Sequence, residues 1–464
     1  MAVPSSVRNL LELQNVKYHI AEMSLQSMGL SVTAAEESNI PRRVRSVILK
    51  DTLGKVQVLF PQDCLLDLNQ LNQQLARQLR ASTHDDLMAF YAQHHVDSVP
   101  ALPKFGGFPT VVDERLFSLD TLLLDSGVPT EFLEITQQEF QNIIGDATRQ
   151  SFCIPIKSIE EPAHLDDSEQ IFDAVKNFTS LRIKQRLDET LELPPLPSTA
   201  QRIIGLRVDP NADVSDLSNI VETDPSLAAQ VVSWAASPYY SAPGKIKSIH
   251  DAIVRVLGFD MVLNLSLGLA LGKSLNLPKD HPQGITPYWQ HAVYAAATVE
   301  GLVTAIPREH RPSFGMAYLS GLLNNFGFLI LGEVFPPYFE LINRYLEVNP
   351  DVPTNVIERH IIGVTREQLA SWLMSSWHMP EEVVVALRHQ HNPNYSGEHA
   401  VFAKLLYLTN AKLRERSIGR GPVHEIPQSL YQDLHLDPDQ VEITISNIMD
   451  STEELSVIAQ QLAT

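Results

Sequence analysis

The chain has 464 residues, too many for one ordinary core, so two or three domains are expected, each large enough to bury a sizeable interior. Hydrophobic content of 44% with 19% charged residues is that of a soluble globular protein; 55 acidic against 35 basic side chains, a formal charge of −20, argue against broad non-specific nucleic-acid binding but leave room for a local basic patch. The two cysteines, Cys64 and Cys153, stand far apart without CxxC or Cys/His spacing, which suggests neither a disulfide framework nor a zinc knuckle and fits a reducing cytoplasm.

The first residues lack the basic start, apolar core and small-residue cleavage site of a secretory signal. Val44-Arg-Ser-Val-Ile-Leu49 and Lys55-Val-Gln-Val-Leu-Phe60 flank a turn at Asp51-Thr-Leu-Gly54, which predicts a hairpin. Leucines at helical spacing over 66–79 predict a helix, and Pro109-Thr-Val-Val-Asp113 a short strand, so residues 1–155 read as an α+β domain. The acidic, proline-containing stretch 156–167 marks a boundary. A connecting helix follows, with Ile171, Phe172, Val175, Phe178, Leu181 and Leu187 on one face, and 156–185 are read as linker plus this helix. Pro194, Pro195 and Pro197 then punctuate the entry to an all-α region. Within it, Asp224-Pro225 is a helix start, with Asp as cap and Pro at the first helical position; Ser248 caps another helix, which Gly258 ends. The apolar run from Leu257 to Leu271 is interrupted by Gly258, Asp260, Asn264, Ser266 and Gly268, so no membrane span is expected. Past a break at Gly419-Arg-Gly-Pro422, a last amphipathic region runs from Ser429 to Leu462 and is expected to pack on the preceding helices or to mediate self-association as a homodimer.

Several motifs in the helical half follow one order: Leu193-Pro-Pro-Leu-Pro197, Asp224-Pro-Ser-Leu-Ala-Ala229, Ser237-Pro-Tyr-Tyr240, Ile246-Lys-Ser-Ile-His-Asp-Ala-Ile253, Gly363-Val-Thr-Arg-Glu-Gln-Leu-Ala370, Trp377-His-Met-Pro380 and Ala386-Leu-Arg-His-Gln-His-Asn-Pro393. In this order they resemble the HDOD domain, the HD-related output domain of bacterial signalling proteins, over residues 186–395, with 396–464 a C-terminal helical extension. The stretch Tyr318-Leu-Ser-Gly-Leu-Leu-Asn-Asn-Phe-Gly-Phe-Leu-Ile-Leu331 is similar to the metal-binding helix of HD phosphohydrolases, whose pattern is Gly-Leu-Leu-His-Asp-Ile-Gly. The resemblance implies that His291 matches the first metal ligand, Asn324 and Asn325 the His-Asp pair, and Asn410 the late aspartate. A neutral amide oxygen is a weak ligand and brings no charge to activate water. No metal and no cofactor are therefore expected, and the four positions are read as ligand-binding or as satisfied polar residues where helices meet. His360, His378, His389 and His391 leave open a divergent phosphohydrolase that uses them with His291, although residues two apart on a helix point about 200° apart.

In the N-terminal half, Val44-Arg-Ser-Val-Ile-Leu-Lys-Asp51, Leu65-Asp-Leu-Asn-Gln-Leu71, Pro103-Lys-Phe-Gly106 and Pro109-Thr-Val-Val-Asp-Glu-Arg-Leu116 resemble the YbaK/prolyl-tRNA-synthetase-associated family, which hydrolyses mischarged aminoacyl-tRNA. Its lysine on the first hairpin strand is matched here by Arg45, and its glycine-containing loop by a segment with Asp97 in that place, ahead of the turn at Gly106. Arginine keeps a charge able to hold phosphate but not a compact ammonium, and a carboxylate opposes a developing oxyanion. The expected protein is thus a cytoplasmic bacterial signalling pseudoenzyme. It would have a degenerate deacylase-like sensor, protein partners for its output domain, and at most a minor tRNA or aminoacyl ligand at the basic run Arg42, Arg43, Arg45 and Lys50. A working deacylase regulated by the helical half is the alternative.

Overall fold

The computed structural model describes residues 3–22, 42–159, 166–183, 195–240 and 244–463, with only the backbone of 177–183. Leu193, Pro194 and Leu187, and the side chains of Phe178 and Leu181, lie outside the described residues.

The N-terminal half is built on a mixed sheet. Its strands are β1 (His19–Glu22), β2 (Arg42–Asp51), β3 (Gly54–Pro61), β4 (Cys64–Leu66), β5 (Arg80–Ala81), β6 (Thr110–Asp113), β7 (Thr121–Val128), β8 (Glu131–Thr136), β9 (Thr148–Gln150) and β10 (Cys153–Pro155). The main sheet runs β1-β8-β7-β2-β3-β6-β9, with β5 on β2, and β4 pairs with β10 as a separate ribbon. The expected hairpin is β2–β3, antiparallel from Val44↔Pro61 to Asp51↔Gly54. The expected helix over 66–79 is shorter, Leu68–Leu75: Asp67 caps it and Ala76 ends it in the left-handed region, releasing the chain into β5.

Period-two alternation sends the two faces of this sheet to different places. Val44, Ile48, Leu59, Val112, Leu122 and Leu133 pack with Val7, Leu11, Phe90 and Phe140 into a core that belongs to the N-terminal half alone. Leu49, Val56, Val58 and Phe60 face the other way, and their core is continuous through Phe152 with the helical half.

The helical half starts with the helix Asp167–Ile183, and the described residues from Ser198 onward form helices and connecting turns without strands. Asp224 accepts from Ser226 N and Leu227 N, and Ser248 accepts from Asp251 N, as the sequence predicts. Among the described residues no single helix is long and apolar enough to cross a membrane. Helices Phe314–Leu323 and Phe326–Val334 pass such a test only as a pair, bent by 40°, and both are buried in the interior.

Three side chains from helix Pro336–Val348 and the loop after it join the halves. Asn349 accepts from Leu66 N (2.9 Å) and donates to Leu66 O (3.1 Å), so its amide pairs with β4 as another strand would. Tyr345 Oη donates to Asp67 (2.6 Å), the cap of helix Leu68–Leu75. Asp351 reaches Arg45 on β2.

Candidate functional site

The break between helices Phe314–Leu323 and Phe326–Val334 falls on Asn324 and Asn325. Gly327 allows the second helix to seat against the start of helix Arg366–Ser376, because a Cβ there would stand 2.1 Å from the carbonyl oxygen of Arg366. Helix Tyr288–Ala305 brings His291 to the same place; Gln390 follows helix Glu381–His389, and helix Ala400–Glu415 supplies Asn410 and Arg414. Around these residues lies a cavity of about 80 Å³, lined also by Arg366, Glu367, His391 and Arg420.

All four positions matched to HD ligands, His291, Asn324, Asn325 and Asn410, therefore line one space. The site straddles the boundary drawn at 395/396, since Asn410 lies beyond it. The amides form a hydrogen-bond chain with a fixed direction. Gln390 Nε2 must donate, because it meets the carbonyl oxygens of Asn324 (3.0 Å) and Leu387 (3.1 Å). Its Oε1 then accepts from Asn410 Nδ2 (2.9 Å), and Asn410 Oδ1 accepts from Asn324 Nδ2 (3.0 Å). Two backbone carbonyls thereby set the orientation of every amide. Asn324, only 5% exposed, ends the chain with its Oδ1 unpartnered. Asn325 Oδ1 accepts from Arg366 (3.2 Å).

The charges around the cavity are mainly cationic. Arg366 pairs with buried Glu358, while Glu367 meets His391 at 3.2 Å. Burial alone would raise Glu367, but the hydrogen bond and charge of His391, together with Arg366, bring it down to about 2. Arg420 donates to the carbonyl oxygens of Gln283 and Leu346. Burial pushes His291 down to about 4; Asn324 favours its protonated form, Arg414 and Arg366 oppose it, and the ring is neutral at pH 7.

This donor set does not fit a divalent ion. It offers amide oxygens where carboxylates would be needed, and the two arginines that depress His291 would repel a cation as well. Among the described residues no three His, Cys, Asp or Glu side chains converge closely enough to share one. The other histidines disperse: His389 stacks on Tyr395, His391 turns to Glu367, His360 faces Asp67 across the interface at 3.9 Å, and His378 holds a left-handed turn.

The second set of candidates, Arg45, Asp97 and Gly106, is not drawn together: among the described residues no hydrogen bond or ion pair joins Arg45 to Asp97 or to the Gly106 turn. Arg45 is 2% exposed, lies over the Phe60 ring (4.9 Å) and pairs through Nε with Asp351 (3.2 Å) of the helical half. Burial lowers its pKa, and both terminal nitrogens lack a hydrogen-bond partner. Asp97 is exposed, its backbone N–H donating to Gly127 O. Gly106 is a turn residue: its φ of +78° leads toward β6, and a Cβ would strike the Phe90 ring at 2.7 Å. The basic run is neutralised residue by residue, as Arg42 with Asp63, Arg43 with Asp125, Arg45 with Asp351 and Lys50 with Asp86.

The residues that sequence reading passed over are Asp351, Arg366, Gln390, Arg414 and Arg420. Arg414 stands four residues after Asn410, hence on the same helical face, and that spacing was the available signal. Gln390 lies inside the motif Ala386–Pro393, and Arg420 inside the break Gly419–Pro422.

Comparison with known proteins follows this division. The model of the HDOD domain matches residues 193–393, and that of the aminoacyl-tRNA editing domain matches residues 30–143. A crystal structure from Marinobacter aquaeolei VT8, named as a candidate signal transduction protein, is 41% identical, with all of both chains covered and a TM-score of 0.88. An HDOD domain protein of unknown function from Geobacter sulfurreducens is 20% identical, with 62% of this chain and 97% of that one covered and a TM-score of 0.48. A curated relative, an uncharacterized protein of Treponema pallidum (strain Nichols), is 23% identical over 275 residues; that match takes in 59% of this chain and about half, 51%, of the relative's length.

Proposed function

The chain belongs to the HDOD-domain proteins, with an aminoacyl-tRNA editing domain ahead of its helical half, and from that premise we propose that it is a signal-transduction protein whose helical half acts without metal and without turnover. The observation that carries this reading is the amide chain Asn324–Asn410–Gln390, closed on backbone carbonyls and flanked by Arg366 and Arg414, at the positions where a hydrolase would hold its ion. A bound ion supplies the charge that makes water a nucleophile; neutral amides and guanidinium groups do not. The output is then binding of a signalling partner protein, with the N-terminal domain as its sensor.

Arg45 supports the same reading for that domain. A residue meant to hold the acceptor end of tRNA must reach solvent, whereas Arg45 is closed under Asp351. The test is metal content after incubation with manganese, iron or zinc, scored beside hydrolysis of cyclic dinucleotides, a generic phosphodiester and mischarged aminoacyl-tRNA. No stoichiometric ion and no turnover are expected. A tightly held ion with turnover that disappears in His291→Ala would overturn the reading, as would ester hydrolysis that disappears in Arg45→Ala.

A further inference from the structure

The cavity beside the amide chain contains more positive charge than its walls compensate. Arg366 is balanced by Glu358, and the cavity's one carboxylate, Glu367, is engaged by His391. Arg420 satisfies backbone carbonyls and forms no ion pair among the described residues, although Glu347 and Asp351 act on it from a distance and are themselves paired with Arg344 and Arg45. The Arg414 guanidinium is partly buried, makes no hydrogen bond or ion pair among the described residues and has an Nε with no acceptor, while Glu415, the acid that acts on it, is held by Lys412. A partly desolvated guanidinium with no acid bound to it is unfavourable in a protein interior, and an anion would offset that. That such a cluster persists in a chain of net charge −20 makes the local sign stand out further.

We propose that this cavity binds a small oxyanion of the phosphate class, still carrying a proton, between Arg414, Arg420 and the amide of Asn324. The inference rests on the reading of the helical half as a metal-free binding module and deepens it. Two properties select the ligand. The first is size: the cavity is small but has room for more than one water, which suits a compact tetrahedral oxyanion. The second is polarity. The amide chain is locked from its Gln390 end, so Asn324 presents an acceptor oxygen beside the His291 ring with no donor in hydrogen-bond geometry, and a ligand that brings a donor would satisfy it. Hydrogen phosphate has such a proton at neutral pH and sulfate does not. Guanidinium groups match the spacing of phosphate oxygens, which a point charge would not select as well.

The experiment is calorimetric titration of the full chain with inorganic phosphate, with sulfate and with phenyl phosphate, beside thermal melting in each salt. Phosphate is expected to saturate one site and to raise the melting temperature. Sulfate is expected to bind at least about tenfold more weakly, because Asn324 would be left without its donor. Arg414→Gln is expected to cost at least about tenfold in phosphate affinity, and Asn324→Asp, which sets a carboxylate against the anion, a similar factor. Should one variant fail to fold, the other and Arg420→Gln still decide. Phenyl phosphate competing for the site would identify a phosphorylated compound as the ligand, and its exclusion would identify free phosphate; either supports the site. No saturable phosphate binding, equal affinity for sulfate, or an unchanged affinity in Arg414→Gln overturns it. Metal content and turnover are read on the same preparation, so a failed titration with no ion bound sinks the oxyanion alone, whereas bound metal with turnover sinks the non-catalytic reading.

Discussion

The two places where chemistry was expected differ in what surrounds them. On the N-terminal sheet, Arg45 is packed over Phe60 and paired with an acid from the other half, so the position is filled by the protein itself. In the helical half the positions of the expected ligands line an open cavity, and its walls are mainly amides and arginines. The first arrangement makes a joint between domains, and the second keeps a receptor-like space. Burial of a side chain under the other domain and a change of charge around a cavity are thus two different ways in which the expected positions are occupied in one chain.

The comparison breaks first at the joint. Asn349→Ala leaves the N–H and carbonyl of Leu66 buried without partners and should destabilise the protein by about 3–4 kcal/mol, read by urea unfolding. A loss below about 1 kcal/mol would mean that the halves do not depend on that contact. On the cavity side, Gly327→Ala forces a methyl against the Arg366 carbonyl; about 3 kcal/mol is expected, with loss of the Asn325–Arg366 hydrogen bond.

His291 sharpens the contrast through pH. Its folded value, about 4, lies below the ordinary histidine value, so the unfolded chain binds a proton first as pH falls. Its contribution is complete above about pH 6.5 and is lost as pH falls toward 4, by up to about 3 kcal/mol. His360 and His424, also lowered by burial, act with the same sign, so the quantity to read is the difference between wild type and His291→Gln. Curves that stay parallel from pH 7 to 4.5 would show that the ring is not desolvated. The smallest effect is expected for Asp351→Ala. It removes the partner of a buried guanidinium, but Asp351 is itself 48% exposed and water can replace part of it, so about 1–2 kcal/mol is expected from thermal unfolding.

Much of the fold was legible residue by residue, because the signals are local. Alternation around Asp51–Gly54 predicts the β2–β3 hairpin, and the caps Asp224 and Ser248 start their helices where a short polar side chain meets an apolar run. The site was legible in part. His291, Asn324, Asn325 and Asn410 do meet, since each stands in a motif that matches a ligand position. Arg45, Asp97 and Gly106 do not, because short motifs on a sheet carry no information about what covers each face.

The sequence by itself determined the two-part organisation, the helix starts and the amides at the positions matched to metal ligands, all of which depend on residue type and near-neighbour spacing. Only the tertiary structure decided that Asp351 closes over Arg45, 306 positions away along the chain, and that Arg414 and Arg420 stand in the cavity with no ion pair among the described residues. Pairing across such a separation depends on which faces the two cores bury together, and no local pattern encodes it.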